Sequence, residues 1–254
     1  MPYGFLLVTG PTGSGKSTTL YATLAEISSD DKNTITLEDP VERRMAGINQ
    51  VQMNNRAGMT FAAALRSVLR SDPDIVMVGE IRDGETAKIA VEAALTGHMV
   101  LSTLHTNDAP GAVTRLNEMG VDPFLVTSSL VGVLAQRLVR RLCPKCKEAY
   151  QIKRDDLLKI FPDLPLDEYP DEEFTLYKPK GCITCNNTGY KGREAVFEFL
   201  TVTEEMKELI LDRANAAAIK ELAIKQGMHT LKDEGIYKVM HGKTSIEEIL
   251  RVIV

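Results

Sequence analysis

The 254 residues carry 30 Lys and Arg against 35 Asp and Glu, and the resulting net charge of −5 argues against a general nucleic-acid coat. With 44% apolar residues, the chain reads as a globular protein able to hold one large domain and a smaller appendage. No stretch approaches the ~20 apolar residues of a membrane span, and no basic leader is present, so a cytoplasmic protein is expected.

The chain opens on a short apolar run, Phe5 to Thr9, that reads as a buried strand. A loop of Gly10, Pro11, Thr12, Gly13, Ser14 and Gly15 follows, then Lys16, Ser17 and Thr18 begin a segment with Leu20, Leu24 and Ile27 at helical spacing. This is Gly-x-x-x-x-Gly-Lys-Ser in its proper setting between a strand and a helix, a P-loop. Glycines let backbone N–H groups curl around phosphate oxygens, and the helix N-terminus adds its positive end. Lys16 is expected on the β- and γ-phosphates of ATP, and Ser17 on Mg²⁺. Because the chain opens almost directly on this strand, a cut at a domain boundary is expected upstream.

Thr34 to Leu37 reads as a second strand, ending in three carboxylates, Glu38, Asp39 and Glu42, around Pro40. In α/β sheets ligand-contacting residues gather past the C-terminal ends of strands. Thr60 caps a helix with Phe61, Leu65 and Leu69 on one face. Ile75 to Val78 has the continuous apolar character of a central parallel strand, and Glu80 just beyond it is placed to hold Mg²⁺ through water or to orient the attacking water. A helix from Glu85 to Thr96 stops at Gly97, and a strand framed by His98 and His105 follows. Such a histidine is more often structural than catalytic; a strand end beside the nucleotide shifts the balance for His105.

A helix is expected around Ala112 to Met119, and a long one from Asp122-Pro123 to Leu142, apolar with a basic end. Cys143-Pro-Lys-Cys146 and Cys182-Ile-Thr-Cys185 come next. Each pair brings two thiolates to one metal, and together they complete a tetrahedral Zn²⁺ site, the alternatives being redox pairs or free thiols. Between them, residues 148–180 are rich in acid and in proline (Pro162, Pro165, Pro170, Pro179) and read as a surface insertion. A strand is expected from Glu194 to Leu200, then a helical tail with capping boxes at Thr201/Glu204 and Ser245/Glu248 and helices bracketed by Asn215 and Gly227 and by Thr230 and Gly242.

Taken in order, the P-loop, Leu37-Glu-Asp-Pro-Val-Glu42, Val78-Gly-Glu-Ile-Arg-Asp83, Gly97-His98 with Ser102 to Asp108, and the four cysteines resemble the secretion ATPases of bacterial type II secretion and type IV pilus assembly. There these blocks are the Walker A, Asp, Walker B and His boxes. The resemblance covers essentially the whole chain. It implies an α/β fold: a RecA-like P-loop NTPase core (residues 1–142), a tetracysteine zinc arm (143–192) and a returning strand with a helical C-terminal subdomain (193–254). It also implies ATP hydrolysis with Mg²⁺, powering pilin or pseudopilin assembly. Lys16, Ser17 and Thr18 match phosphate and Mg²⁺ contacts, Glu38 and Glu80 the two acids around the γ-phosphate and its water, and His98 and His105 the His box. The implied partners are a homohexamer, an inner-membrane platform protein and cytoplasmic-domain components of the same machine, with the protein peripheral at the cytoplasmic face of that membrane and no nucleic acid involved. The family's N-terminal domain, a source of interfacial arginines, has no counterpart in these residues. Two alternatives are a nucleotide-binding and docking module with little activity in isolation, and a pilus-retraction ATPase, which normally lacks the four cysteines.

Overall fold

A computed structural model describes residues 3–162, 164 and 169–253; Pro165 of the acidic stretch lies outside the described residues. In chain order the elements are β1 (Gly4–Thr9), α1 (Lys16–Ile27), β2 (Thr34–Glu38), β3 (Asn49–Gln52), α2 (Phe61–Val68), β4 (Ile75–Val78), α3 (Gly84–Leu95), β5 (Met99–Leu104), α4 (Ala109–Glu118), α5 (Pro123–Ser129) and β6 (Leu130–Leu142). They continue with β7 (Glu148–Lys153), α6 (Arg154–Ile160), β8 (Glu173–Lys178), β9 (Tyr190–Thr201), α7 (Glu204–Leu211), α8 (Ala216–Lys225), α9 (Leu231–Met240) and α10 (Ile246–Val252). The chain divides into two compact units, residues 1–136 with 198–228, and residues 137–197 with 229–254.

The main sheet runs β3-β2-β4-β5-β1-β6-β9. β1 is parallel to both β5 and β6, and β2, β3, β4 and β5 are parallel to their neighbours. Phe5, Leu7, Leu37, Val76, Val78, Val100 and Leu101 are fully buried. Helices cover the sheet, which is why these strands read as unbroken apolar runs rather than alternating ones. In the first unit α2 packs on α3, α3 on α5, α5 on α7, and both α4 and α7 on α8. The expected caps at Thr60, Asp122 and Asn215 are in place, each side chain accepting a first-turn backbone N–H.

The long helix expected from Phe124 to Leu142 is not one element. α5 ends at Ser129 and a thirteen-residue strand takes over. Periodicity alone does not separate a buried strand from a buried helix in such a run. Pairing with β1 decides: Leu6 lies opposite Gly132, Leu7 opposite Val133 and Val8 opposite Leu134. β-branched Val131, Val133 and Val139 suit the strand, and a Cβ on Gly132 would stand 2.8 Å from the Phe199 ring. The polar strand β3 has no apolar pattern and was not expected.

In the second unit β7 and β8 form an antiparallel pair with α6 on β7, and α9 packs on β8 and on α10. The acidic stretch between the cysteine pairs therefore carries a small core, with Leu157, Phe161, Phe174 and Leu176 buried. Of the expected capping boxes, the first gives way to a plain cap: Thr203, not Thr201, precedes α7, since Thr201 ends β9. Ser245 does cap α10, but the Glu248 carboxylate turns to arginines instead. A full box forms at Thr230 and Asp233. Among the described residues no helix is long and apolar enough to cross a membrane.

Candidate functional site

Because β2, β4, β5 and β1 are adjacent and parallel, the segments after each open on one edge of the sheet. These are the P-loop after β1, residues 39–42 after β2, residues 79–83 after β4 and residues 105–108 after β5. Such an edge, outside the carboxyl ends of the strands, is where open α/β sheets bind ligands.

The P-loop is tightly determined. Gly10 has φ 146°, and a Cβ there would fall 2.4 Å from the Gln136 carbonyl oxygen and 2.6 Å from Ser14 Oγ, so only glycine fits. Gly15 caps α1, whose first turn holds no acidic residue to offset its positive end. Thr12, Gly13 and Thr18 are exposed. The Lys16 ammonium folds back over the loop, donating to the carbonyls of Gly10 (2.8 Å) and Pro11 (3.1 Å). From β6, buried Gln136 braces the loop: its Nε2 donates to the Ser14 carbonyl at 2.7 Å, and its Oε1 accepts from Thr19 Oγ1 at 2.7 Å. Ser14 itself is 3% exposed, and its hydroxyl has no hydrogen-bond partner among the described residues. A buried orphan hydroxyl is costly. Close to the N-terminus of α1, it is complementary to a phosphate oxygen, so this loop fits a nucleotide.

The acids are held differently. Glu38 is 3% exposed. Its Oε1 accepts from Thr36 Oγ1 (2.5 Å) and Gln50 Nε2 (3.1 Å), and its Oε2 accepts from the Tyr21 hydroxyl. Glu42, by contrast, accepts the Ser17 hydroxyl at 3.0 Å, so a hydroxyl and a carboxylate of the kind that hold Mg²⁺ already meet. Glu80 pairs with Arg82 at 2.6 Å and faces His105 Nε2 at 3.7 Å. Its carboxylate holds the Arg82 guanidinium above its ordinary pKa. These three line a cleft of about 300 Å³ together with Arg115. Thr9 Oγ1 accepts from the Thr106 backbone N–H (2.9 Å), tying the His-box segment to the end of β1.

His98 is not brought into this group. It precedes β5 while His105 follows it, and a six-residue strand separates its two ends by ~20 Å. Its Nδ1 lies 2.8 Å from the Ala93 carbonyl oxygen, so within the chain it closes the end of α3. Tyr21, Gln50 and Gln136 are the contributors that motif reading missed, and for Glu42, read only as part of the acidic turn, it missed the pairing with Ser17. A signal existed for Tyr21, which sits four residues after Ser17 on one helix face; none existed for Gln136, inside a segment read as helix.

In the second unit the four cysteines converge, with all four Sγ atoms within 4.8 Å of one another. Cys143 and Cys182 are 3.9 Å apart, Cys146 and Cys185 3.8 Å, and Cys182 and Cys185 3.8 Å. A tetrahedral site with Zn–S ~2.3 Å places its sulfurs ~3.8 Å apart, so the cluster fits Zn²⁺. The second pair sits on a tight knuckle: Cys185 Sγ accepts from the backbone N–H of Cys182 (3.2 Å) and Gly189 (3.3 Å). Gly189 has φ 76°, and a Cβ would reach within 2.3 Å of Pro179 Cβ. Burial acts to raise the Cys185 thiol, but these donors and the neighbouring thiols hold it down at about 6, while burial pushes Cys146 up to about 12. Four thiolates this close do not all ionise without a cation among them.

A family model described as type II/IV secretion system protein matches residues 1–251. The type IV pilus assembly ATPase PilB of Thermus thermophilus is 55% identical over 98% of this chain and 28% of its own length. The type II secretion system ATPase E of Vibrio cholerae is 54% identical over 99% of this chain and 48% of its own length. The chain thus spans less than half of these relatives. A crystal structure of the pilus retraction motor PilT with ADP superposes with a TM-score of 0.69 at 26% identity, covering 98% of this chain and 61% of that one. The Legionella pneumophila ATPase DotB shares the fold with a TM-score of 0.69 at 24% identity, covering 99% of this chain and 60% of that one.

Proposed function

The chain belongs to the family of type II/IV secretion system proteins, and from that premise we propose that it binds MgATP at the P-loop and hydrolyses it to ADP and phosphate to drive assembly of pilins or pseudopilins. The observation that carries this reading is the meeting of the P-loop, Ser17 with Glu42, and Glu80 at one edge of four adjacent parallel strands. Backbone N–H groups of residues 12–16 and the Ser14 hydroxyl would take the phosphate oxygens, and Lys16 would leave its two carbonyls for the β- and γ-phosphates. Ser17 and Glu42 would hold Mg²⁺. Bound there, the ion would offset the negative charge of the phosphates.

Glu80 is the better base of the two expected acids. Its carboxylate lines an open cleft, paired there with Arg82 and facing His105, whereas both Glu38 oxygens accept hydrogen bonds in the interior; Glu38 then serves as the anchor of the acidic turn. His105 lies on the Glu80 side and steers that carboxylate. Zn²⁺ on Cys143, Cys146, Cys182 and Cys185 would staple the second unit. The four cysteines favour assembly over retraction. The family resemblance further implies a homohexamer working against a membrane platform protein at the cytoplasmic face, with interfacial arginines from the N-terminal domain. The test is Glu80→Gln, which keeps shape and loses charge: ATP should bind as in the wild type while turnover in an active assembly falls at least ~100-fold. Wild-type turnover would refute the assignment.

A further inference from the structure

Tyr21 lies one helical turn after Ser17, so its phenol and the Ser17 hydroxyl share a face of α1. The ring is 8% exposed and packs among Val8, Leu24, Ile75, Met77 and Leu101. Its hydroxyl emerges from that apolar cluster at the end of β2. There it donates to Glu38 Oε2 and accepts the backbone N–H groups of Glu42 (3.2 Å) and Arg43 (3.4 Å). Glu42 returns to α1 by accepting the Ser17 hydroxyl. One oxygen therefore grips both ends of the turn 38–42, and that turn closes a ring with the helix carrying the P-loop.

We propose that Tyr21 is a positioning residue, whose hydroxyl holds the acidic turn so that Glu42 stays at Ser17, where the nucleotide's divalent cation would be held. The proposal rests on the MgATP reading above. Burial, and then the Glu38 carboxylate, raise the Tyr21 pKa, so the hydroxyl remains a donor throughout the neutral range. Phenylalanine would fill the same apolar space but leave Glu38 Oε2 a donor short and two backbone N–H groups without their acceptor. The turn would slacken beside Ser17, while the phosphate-binding loop, braced from the other side by Gln136, would not change.

The test titrates the purified 254-residue chain with a fluorescent ATP analogue, in EDTA and across a magnesium series, with melting followed by circular dichroism. For Tyr21→Phe, affinity in EDTA should stay within about two-fold of wild type, while the magnesium needed for half-maximal tightening should rise about ten-fold, the scale of one or two lost hydrogen bonds. Glu42→Gln, which leaves the tyrosine in place, should share the magnesium defect, and the double variant should add less than about two-fold to it. An unchanged magnesium dependence overturns the proposal. So does an equal loss of affinity with and without magnesium, or a variant that fails to fold, since either makes the hydroxyl merely structural. A wild-type chain that binds no analogue at all would overturn the MgATP reading, and this inference with it.

Discussion

Glu248 is the most exacting test of how the second unit is held together. Its carboxylate is fully buried and takes five charged or backbone donors. Arg140 gives its backbone N–H (2.8 Å), Nε (2.9 Å) and Nη2 (2.6 Å), and Arg251 adds Nε (2.9 Å) and Nη2 (2.6 Å). The Arg140 guanidinium also stacks on the Tyr190 ring at 4.1 Å. Burial acts to raise the Glu248 pKa, but the arginines outweigh it and bring it from 4.5 to about 2. That shift corresponds to ~3 kcal/mol of stability at neutral pH, reduced to ~2–3 because solvent screens the half-exposed arginines. A depressed folded-state pKa stabilises above the unfolded value, and the contribution is lost as pH falls from 4.5 toward 2. Glu248→Gln should therefore cost ~2–3 kcal/mol at pH 7, and more than half of the gap from wild type should be gone by pH 3. Urea unfolding followed by tyrosine fluorescence suits a chain with 7 Tyr and no Trp. Comparing the two proteins at each pH cancels the protonation of the thiols, which both share. Equal stability at pH 7, or a gap that does not shrink at pH 3, would refute the reasoning.

Elemental analysis should find one zinc per chain, and well under one would refute the tetracysteine site. Cys182→Ser should expose residues 143–185 to proteases while leaving ATP affinity unchanged, because the site closes a loop in the second unit and not the P-loop. Gln136→Ala removes the brace from the Ser14 carbonyl and the Thr19 hydroxyl; it should weaken ATP binding about ten-fold with a stability loss of ~1–3 kcal/mol. Unchanged binding measured by calorimetry would show that the loop holds its shape alone.

Much of the nucleotide loop was readable because its physics is local. A strand, a glycine-rich turn and a helix start all lie within residues 4–27, and Lys16 folds back onto carbonyls of the same stretch. Helix caps at Thr60, Asp122 and Asn215 were readable for the same reason, since a cap reaches only two or three residues ahead. The cysteine pairs marked a candidate metal site through spacing within each pair. Their convergence across residues 146 to 182 depends on the folded piece between them.

What only the tertiary structure decided are matters of partner and direction. Residues 130–142 are apolar enough for either a helix or a strand, and the choice belongs to β1, more than a hundred residues earlier in the chain. The two histidines frame β5, with the sequence favouring His105, and the extended strand puts them at opposite edges of the sheet. Glu38 and Glu42 likewise sit in one acidic cluster by sequence. The strand end turns the first inward to Tyr21, Thr36 and Gln50, and the turn after it carries the second back to Ser17. Composition and spacing state which charges are present. Which of them keeps an oxygen toward the P-loop depends on donors brought in from other strands, because a buried carboxylate is held wherever enough hydrogen bonds compensate its lost water.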